Sequence, residues 1–397
     1  MRPVPAAGPE DGGGAVPGPG QVGADGRPRV LFLSENNGGH STMHLGIRAG
    51  LAHDDRIVPT FVDVPPPRLL RRAVSVQIPG LARLDLDLAS QRGQLATSAT
   101  ARRLLRAAAG TYDVLHVYTQ HAALTSRDIL RAGPSVVATD AAGHDVARLL
   151  PYRRPTVWTE RQRGLRERLE RPVWDAATLV LTKSEWAARS LREDYGVTPD
   201  RLRVVPLGIE VPPTAPARVP HERPTITFVG RSLARKGGLV LLDLFRARWA
   251  DRFELHLVTK EAVAPTPGVI VHRDFEPGDP RLADLFARTD VLAFPTETDT
   301  FGYAALEAMA AAVPVVARRT SALPEIVVDG GTGLLVGAGP EELAAAIEAI
   351  LGDPERARAM GEAGRRRMLE RFDARVTTGA LVDVLLEAHE RFWAVRP

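Results

Sequence analysis

Two carboxylates, Asp299 and Glu307, stand eight positions apart within Val291 to Val336, VLAFPTETDTFGYAALEAMAAAVPVVARRTSALPEIVVDGGTGLLV. Asp299 falls in a polar loop, Thr296 to Thr300. Glu307 lies about two turns further along, inside a run from Gly302 to Ala312 that is rich in Ala, Leu, Met and Glu and so reads as helix. The free backbone N–H groups of a helix N-terminus suit an anionic or hydroxyl-rich ligand. Carboxylates placed there accept hydrogen bonds from sugar or ribose hydroxyls. The competing use of Asp299 is as a helix cap, for which Thr300 is an equal candidate. Upstream, Arg231 and Lys236 flank a turn between Gly230 and the pair Gly237-Gly238. Fixed cations in such a turn would hold an anionic group; the plain alternative is two exposed basic residues on a loop. In the first half, Gly38 and Gly39 lie in the loop Glu35 to His40, between an apolar run and a helical one, which is a phosphate-site pattern or simply an Asn-Gly turn.

The elements that would hold these residues alternate strand and helix. Expected strands are Arg29 to Ser34, Ile57 to Val64, Val114 to Tyr118, Ser135 to Thr139, Thr178 to Leu181 and Arg203 to Pro206. A Pro-rich stretch then reads as a linker, and a second alternation follows, with strands at Thr225 to Val229, Phe253 to Val258, Val269 to His272, Val291 to Phe294 and Val313 to Ala317. The stretch after Val313 to Ala317 reads as loop. Alternation of this kind argues for parallel sheets covered on both faces. Glu341 to Phe392 is helical in pattern.

Composition narrows the class. The 397 residues include 44% hydrophobic ones, enough for two domains with proper cores. A net charge of +3 does not by itself imply nucleic acid. The absence of Cys excludes disulfides and thiolate metal sites. Residues 1–27 are expected to be a disordered leader rather than a signal peptide, because no apolar segment follows a basic start. No apolar run reaches the roughly 18 residues of a membrane span, so a cytoplasmic enzyme is the simplest class. The basic-apolar stretch Arg68 to Leu84, broken at Pro79, leaves peripheral contact with anionic lipid or a large acceptor open. Asp85-Leu86-Asp87 has the form of a metal motif but lies in a polar-apolar alternation and reads as a solvated face, so no metal site is expected.

These blocks resemble the nucleotide-sugar site of the retaining family 4 glycosyltransferases (glycosyl transferases group 1), which have the GT-B fold. The resemblance rests on Asp299, Glu307, Ala308-Met309-Ala310, Pro314 to Ala317, Leu323 to Ile326, Gly330 to Val336, Phe228 to Arg231 and Arg235 to Gly238. It is weaker at Ser184-Glu185-Trp186 and Val204 to Gly208. Three departures stand out: Asp299 where Glu is commoner, Ala312 where Gly is frequent, and Ser321-Ala322 in place of Gly-Gly.

The resemblance implies an α/β chain of two Rossmann-like, doubly wound parallel-sheet domains facing a cleft, with a helical tail. Residues 28–209 would bind the acceptor, 210–224 form the linker, 225–375 bind the nucleotide sugar, and 376–397 cross back to the first domain. Arg231 and Lys236 would grip the donor diphosphate beside Gly230, with Gly38 and Gly39 beneath it or beneath the acceptor. Glu307 would accept both ribose hydroxyls, and Asp299 would orient the sugar. Phe301, Gly302 and Tyr303 complete the donor set, the first two through backbone N–H groups. Near the sugar, His144 or Asp140, in the loop after Ser135 to Thr139, would assist. The implied reaction moves a hexose from a UDP- or GDP-sugar to an acceptor hydroxyl, with no metal and no cofactor. A non-catalytic nucleotide-sugar-binding subunit and a GT-B-like epimerase are the alternatives. Base readout would fall to loops such as Val258 to Glu261 and His272 to Phe275.

Overall fold

A computed structural model of the chain describes residues 26–35, 40–65, 76, 80–81, 88–145, 158–276 and 278–395. Gly38, Gly39, the Asp85-Leu86-Asp87 motif, almost all of Arg68 to Leu84 and nearly all of the expected leader lie outside the described residues.

Two six-stranded parallel sheets form the frame. The first contains β1 (Arg29–Glu35), β2 (Val58–Val64), β3 (Val114–Tyr118), β4 (Ser135–Thr139), β5 (Leu179–Thr182) and β6 (Leu202–Val204), in the order β2-β1-β3-β4-β5-β6. The second contains β7 (Thr225–Val229), β8 (Glu254–Val258), β9 (Val269–His272), β10 (Val291–Phe294), β11 (Val315–Arg318) and β12 (Gly333–Val336), in the order β12-β11-β10-β7-β8-β9. Both orders reverse direction once, between β1 and β3 and between β7 and β10. At such switch points the strands' carboxyl ends leave a crevice for ligands. The expected pair of doubly wound sheets is therefore present.

Strand β12 corrects the sequence reading, which left this segment as loop. Gly333 permits the pairing: a Cβ there would stand 2.0 Å from the carbonyl oxygen of Val315 on β11. The helix expected over Gly302 to Ala312 is shorter, Tyr303–Ala310. Its flanks explain the difference, since Gly302 has φ +111° and Ala312 φ +56°. Ala312 and Ser321 (φ +50°) are the non-glycine residues with positive φ among the described residues, and both stand where the sequence departs from a glycine pattern. The chain tolerates at each a conformation that costs an L-residue roughly 1–2 kcal/mol.

The C-terminal helix, Ala374–Ala394, packs on helix His40–Leu51 and on the β3–β4 face. Small residues allow the approach: a Cβ on Gly50 would meet Thr378 Oγ1 at 2.1 Å. Arg56 pairs with Asp383 at 2.5 Å, and Arg203 pairs with Glu387. One apolar core runs from Phe32 and Tyr118 through Leu385 to Phe294 and Met309, so it joins both sheets' surroundings. No helix among the described residues is long and apolar enough to cross a membrane.

Candidate active site

A cleft of about 380 Å³ opens at the carboxyl ends of β7, β8 and β10, the switch point of the second sheet. Tyr118, Asp140 and Leu207 close it from the first sheet's side.

Two backbone turns build its cationic wall. After β7 the chain turns at Gly230, where a Cβ would lie 2.8 Å from Phe228 Cζ and 3.0 Å from Lys236 Cβ. A single helical turn, Leu233–Lys236, follows and ends on Gly237 with φ +76°. A side chain at Gly237 would collide with the carbonyl oxygen of Pro295 at 2.2 Å. That contact presses the basic turn against the end of β10, so Arg231, Arg235 and Lys236 all line the cleft. The ammonium of Lys236 donates to Asp299 Oδ2, sits 3.4 Å from the carbonyl oxygen of Thr298, and lies 5.8 Å over the Phe294 ring. Burial draws its pKa below the ordinary lysine value, while Asp299 opposes the shift.

Asp299 does two things at once. Its Oδ2 holds Lys236, and its Oδ1 accepts a long hydrogen bond, 3.4 Å, from the backbone N–H of Phe301. The bond to Phe301 is a turn bond ahead of helix Tyr303–Ala310, whose N-cap is Gly302 with no side-chain capping bond, so turn geometry and a charged place in the cleft coexist in one carboxylate. The neighbouring Thr300 donates to Asp140 Oδ2 at 2.9 Å, a bond that spans the cleft from one sheet to the other. Phe301 and Tyr303 line the same wall, and Gly302 leaves room for Leu323, whose Cδ2 would be 2.7 Å from a Cβ there.

Glu307 faces the cleft from helix Tyr303–Ala310. None of the described residues hydrogen-bonds or ion-pairs with its carboxyl, and burial pushes its pKa up to about 7. The Tyr303 hydroxyl also lacks a hydrogen-bond partner among the described residues, and burial, Asp140 and Glu307 all hold it protonated. A two-oxygen acceptor without a protein donor is the complement of a vicinal diol.

The state of Glu307 has a measurable consequence. A carboxyl raised from 4.5 to about 7 binds its proton more tightly in the folded than in the unfolded chain. Stability therefore falls as pH rises through that interval. Glu307→Gln should raise the melting temperature at about pH 8, with the gain vanishing near the unfolded carboxyl pKa, and should weaken nucleoside diphosphate binding by ~10-fold or more. An equal melting temperature at both ends of the pH range, with unchanged affinity, would contradict this placement.

His144 needs correction. It packs edge-on against Tyr195, with ring centroids 5.3 Å apart, and stands 3.6 Å from Glu167 and 3.7 Å from Asp194. Those acids and that ring draw the imidazole away, and it does not line the cleft; Asp140, the other candidate in that loop, does. His121 likewise turns inward to Glu170, at 3.1 Å. His116 is buried mid-strand beside Phe32. The expected readout loops do reach the cleft, through Val258, Thr259, Lys260 and Phe275. Sequence reasoning missed the Lys260–Glu276 ion pair at 2.5 Å and the cleft-lining Tyr118, for which an aromatic at a strand's carboxyl end was the available signal. Among the described residues there is no group of three or more His, Cys, Asp or Glu that could hold a metal ion.

Residues 223–353 match the family model described as "Glycosyl transferases group 1", and residues 51–211 match that described as "Glycosyltransferase Family 4". The chain is 32% identical over 314 residues to an MMP α-(1→4)-mannosyltransferase of Mycolicibacterium hassiacum, covering 74% of this chain and 75% of that protein. It is 31% identical over 252 residues to a D-inositol 3-phosphate glycosyltransferase of Thermobispora bispora, covering 56% and 59% respectively. Its fold superposes on sucrose-phosphate synthase from Thermosynechococcus elongatus with a TM-score of 0.70 at 20% identity, over 91% of this chain and 100% of that one.

Proposed function

Because the chain belongs to the family 4 glycosyltransferases, with their two-sheet GT-B fold, we propose that it moves a hexose from a UDP- or GDP-sugar to an acceptor hydroxyl with retention of configuration. The carrying observation is Glu307: a cleft carboxyl raised to about 7 with no hydrogen-bonding or ion-pairing partner among the described residues, where donor ribose hydroxyls would satisfy it. Arg231 and Lys236 take the diphosphate, as cations fixed where negative charge grows. Asp299 faces the sugar ring, Gly302 offers it a backbone N–H, and the Phe301 N–H, held only by a long 3.4 Å bond to Asp299 Oδ1, would turn to it. Asp140 and Tyr118 approach from the acceptor's side. Residues 28–209 form the acceptor domain and 225–375 the donor domain in this reading.

In the reaction the bond from the anomeric carbon to the phosphate oxygen breaks. The acceptor oxygen bonds to that carbon on the same face, and its proton passes to the departing phosphate. No protein nucleophile is needed, and the cations already present supply the neutralisation that a metal would otherwise give. The names of the relatives direct the acceptor screen towards small sugars and phosphorylated polyols.

The test is a panel of UDP- and GDP-hexoses, read first by thermal stabilisation and slow donor hydrolysis, then by product NMR. One donor should stand out, and its product should keep the donor's anomeric configuration. Activity should persist in excess chelator. An inverted product, or loss on chelation with rescue by magnesium or manganese, would count against the mechanism.

A further inference from the structure

Two sequence blocks carry no chemistry in the site described above, Leu323 to Ile326 and Ser184-Glu185-Trp186, and the fold brings them into contact. Glu325 sits in the short helix Leu323–Ile326, on the second-sheet side. Its Oε2 accepts the backbone N–H of Glu185 and its Oε1 that of Trp186, each at 2.8 Å. These are first-turn donors of helix Glu185–Glu193, which follows β5 of the first sheet. The next donor, Ala187 N–H, is met locally by Ser184 Oγ at 3.2 Å. The helix thus caps one N–H with its own serine and leaves two for a carboxylate 139 and 140 residues away. Both the hydrogen bonds and the positive end of the helix favour an anion there.

The acidic side of the contact is firmly anchored. Arg367 donates to the carbonyl oxygens of Glu325 at 2.7 Å and Ile326 at 2.9 Å, and Leu323 and Ile326 are fully buried. Leu323 also packs in the space that Gly302 leaves open, next to the Asp299 loop. On the other side, helix Glu185–Glu193 leaves β5, and Asp140 leaves β4, its paired neighbour. The Glu325 contact and the Thr300–Asp140 bond therefore join the same two surfaces, one outside the cleft and one inside it.

We infer that Glu325 is a positioning residue: its carboxylate clamps helix Glu185–Glu193 and sets the distance across the cleft between Asp299 on the donor side and Asp140 on the acceptor side. It touches neither the cleft lining nor the reacting atoms. Its effect on rate comes from geometry, to which transfer is sensitive at about the 1 Å level.

Glu325→Gln is the informative variant. It is nearly isosteric but turns one acceptor into an N–H₂ group facing a backbone N–H, and it removes the charge. Glu325→Ala removes both acceptors. Turnover should fall ~10-fold or more in each. Affinity for UDP or GDP should stay within ~2-fold, because Arg231, Lys236 and Glu307, the proposed diphosphate and ribose contacts, lie on the second-sheet side. The kinetic arm rests on the glycosyl-transfer reading. A second arm does not: small-angle scattering of the unliganded variants should show a larger radius of gyration than wild type. Unchanged scattering in both single variants overturns the clamp, whatever the activity. So does a fall in nucleotide affinity parallel to turnover, which would mean that Glu325 merely supports the donor loop.

Discussion

Asp299→Asn is expected to cut sugar transfer about 10²-fold or more, the scale of losing one electrostatic stabiliser. Binding of the bare nucleoside diphosphate should hold or tighten slightly. The structure makes this substitution discriminating. Asp299 Oδ1 accepts the Phe301 N–H, a bond that an asparagine oxygen can also accept. Asn supports such a turn as well as Asp does. If holding that turn were the whole role, Asn would leave the rate near wild type. On the proposed reading, what Asn cannot supply is negative charge beside the sugar, where positive charge grows as the bond to phosphate loosens. Nor can it hold Lys236, whose ammonium would then be free to turn towards the diphosphate. Asp299→Glu should keep measurable transfer, since it restores the carboxylate with one more methylene. Product NMR on wild type and both variants decides the matter. Wild-type transfer by Asp299→Asn would reduce Asp299 to a turn residue.

The parts of this site that could be read from sequence are those set by neighbours along the chain. Strands such as Val114–Tyr118, Ser135–Thr139 and Val291–Phe294 are buried apolar runs, so their bounds follow from local pattern. Arg231 with Lys236, and Asp299 with Glu307, are each placed by one turn or one helix. Where position depends on a distant partner, the sequence is silent. β12 looks like loop because its four residues follow Gly and Thr, and only pairing with β11 makes it a strand. Which side chain of the loop holding His144 and Asp140 turns to the cleft depends on Tyr195, Glu167 and Asp194. Thr300 meets Asp140 across 160 positions. The Glu325 contact is the extreme case: both halves were visible as motifs, and nothing in either announced the other.

Arg231→Ala and Lys236→Ala should each weaken nucleoside diphosphate binding by roughly 1.5–3 kcal/mol, the range for hydrogen bonds to a charged group. The two losses should differ in kind. Arg231 is exposed at the mouth of the turn, so its removal should leave the melting temperature unchanged. Lys236 is the partner of Asp299, and its removal strands a carboxylate whose side chain is 18% exposed, so stability should drop as well. Their titrations differ further. Arginine stays charged throughout the working range. Burial lowers the Lys236 amine from 10.5, and Asp299 holds it up. A group with a depressed ammonium pKa sheds its charge first as pH rises. Diphosphate affinity should therefore weaken on the alkaline side in wild type, and not in Lys236→Ala. Neutralising Asp299 removes the charge that opposes the depression, so in Asp299→Asn the alkaline loss of affinity should begin at lower pH than in wild type. Calorimetry across pH on the three proteins reads this directly. A wild-type affinity flat with pH, or an onset unmoved by Asp299→Asn, would mean that the Lys236 ammonium does not hold the diphosphate.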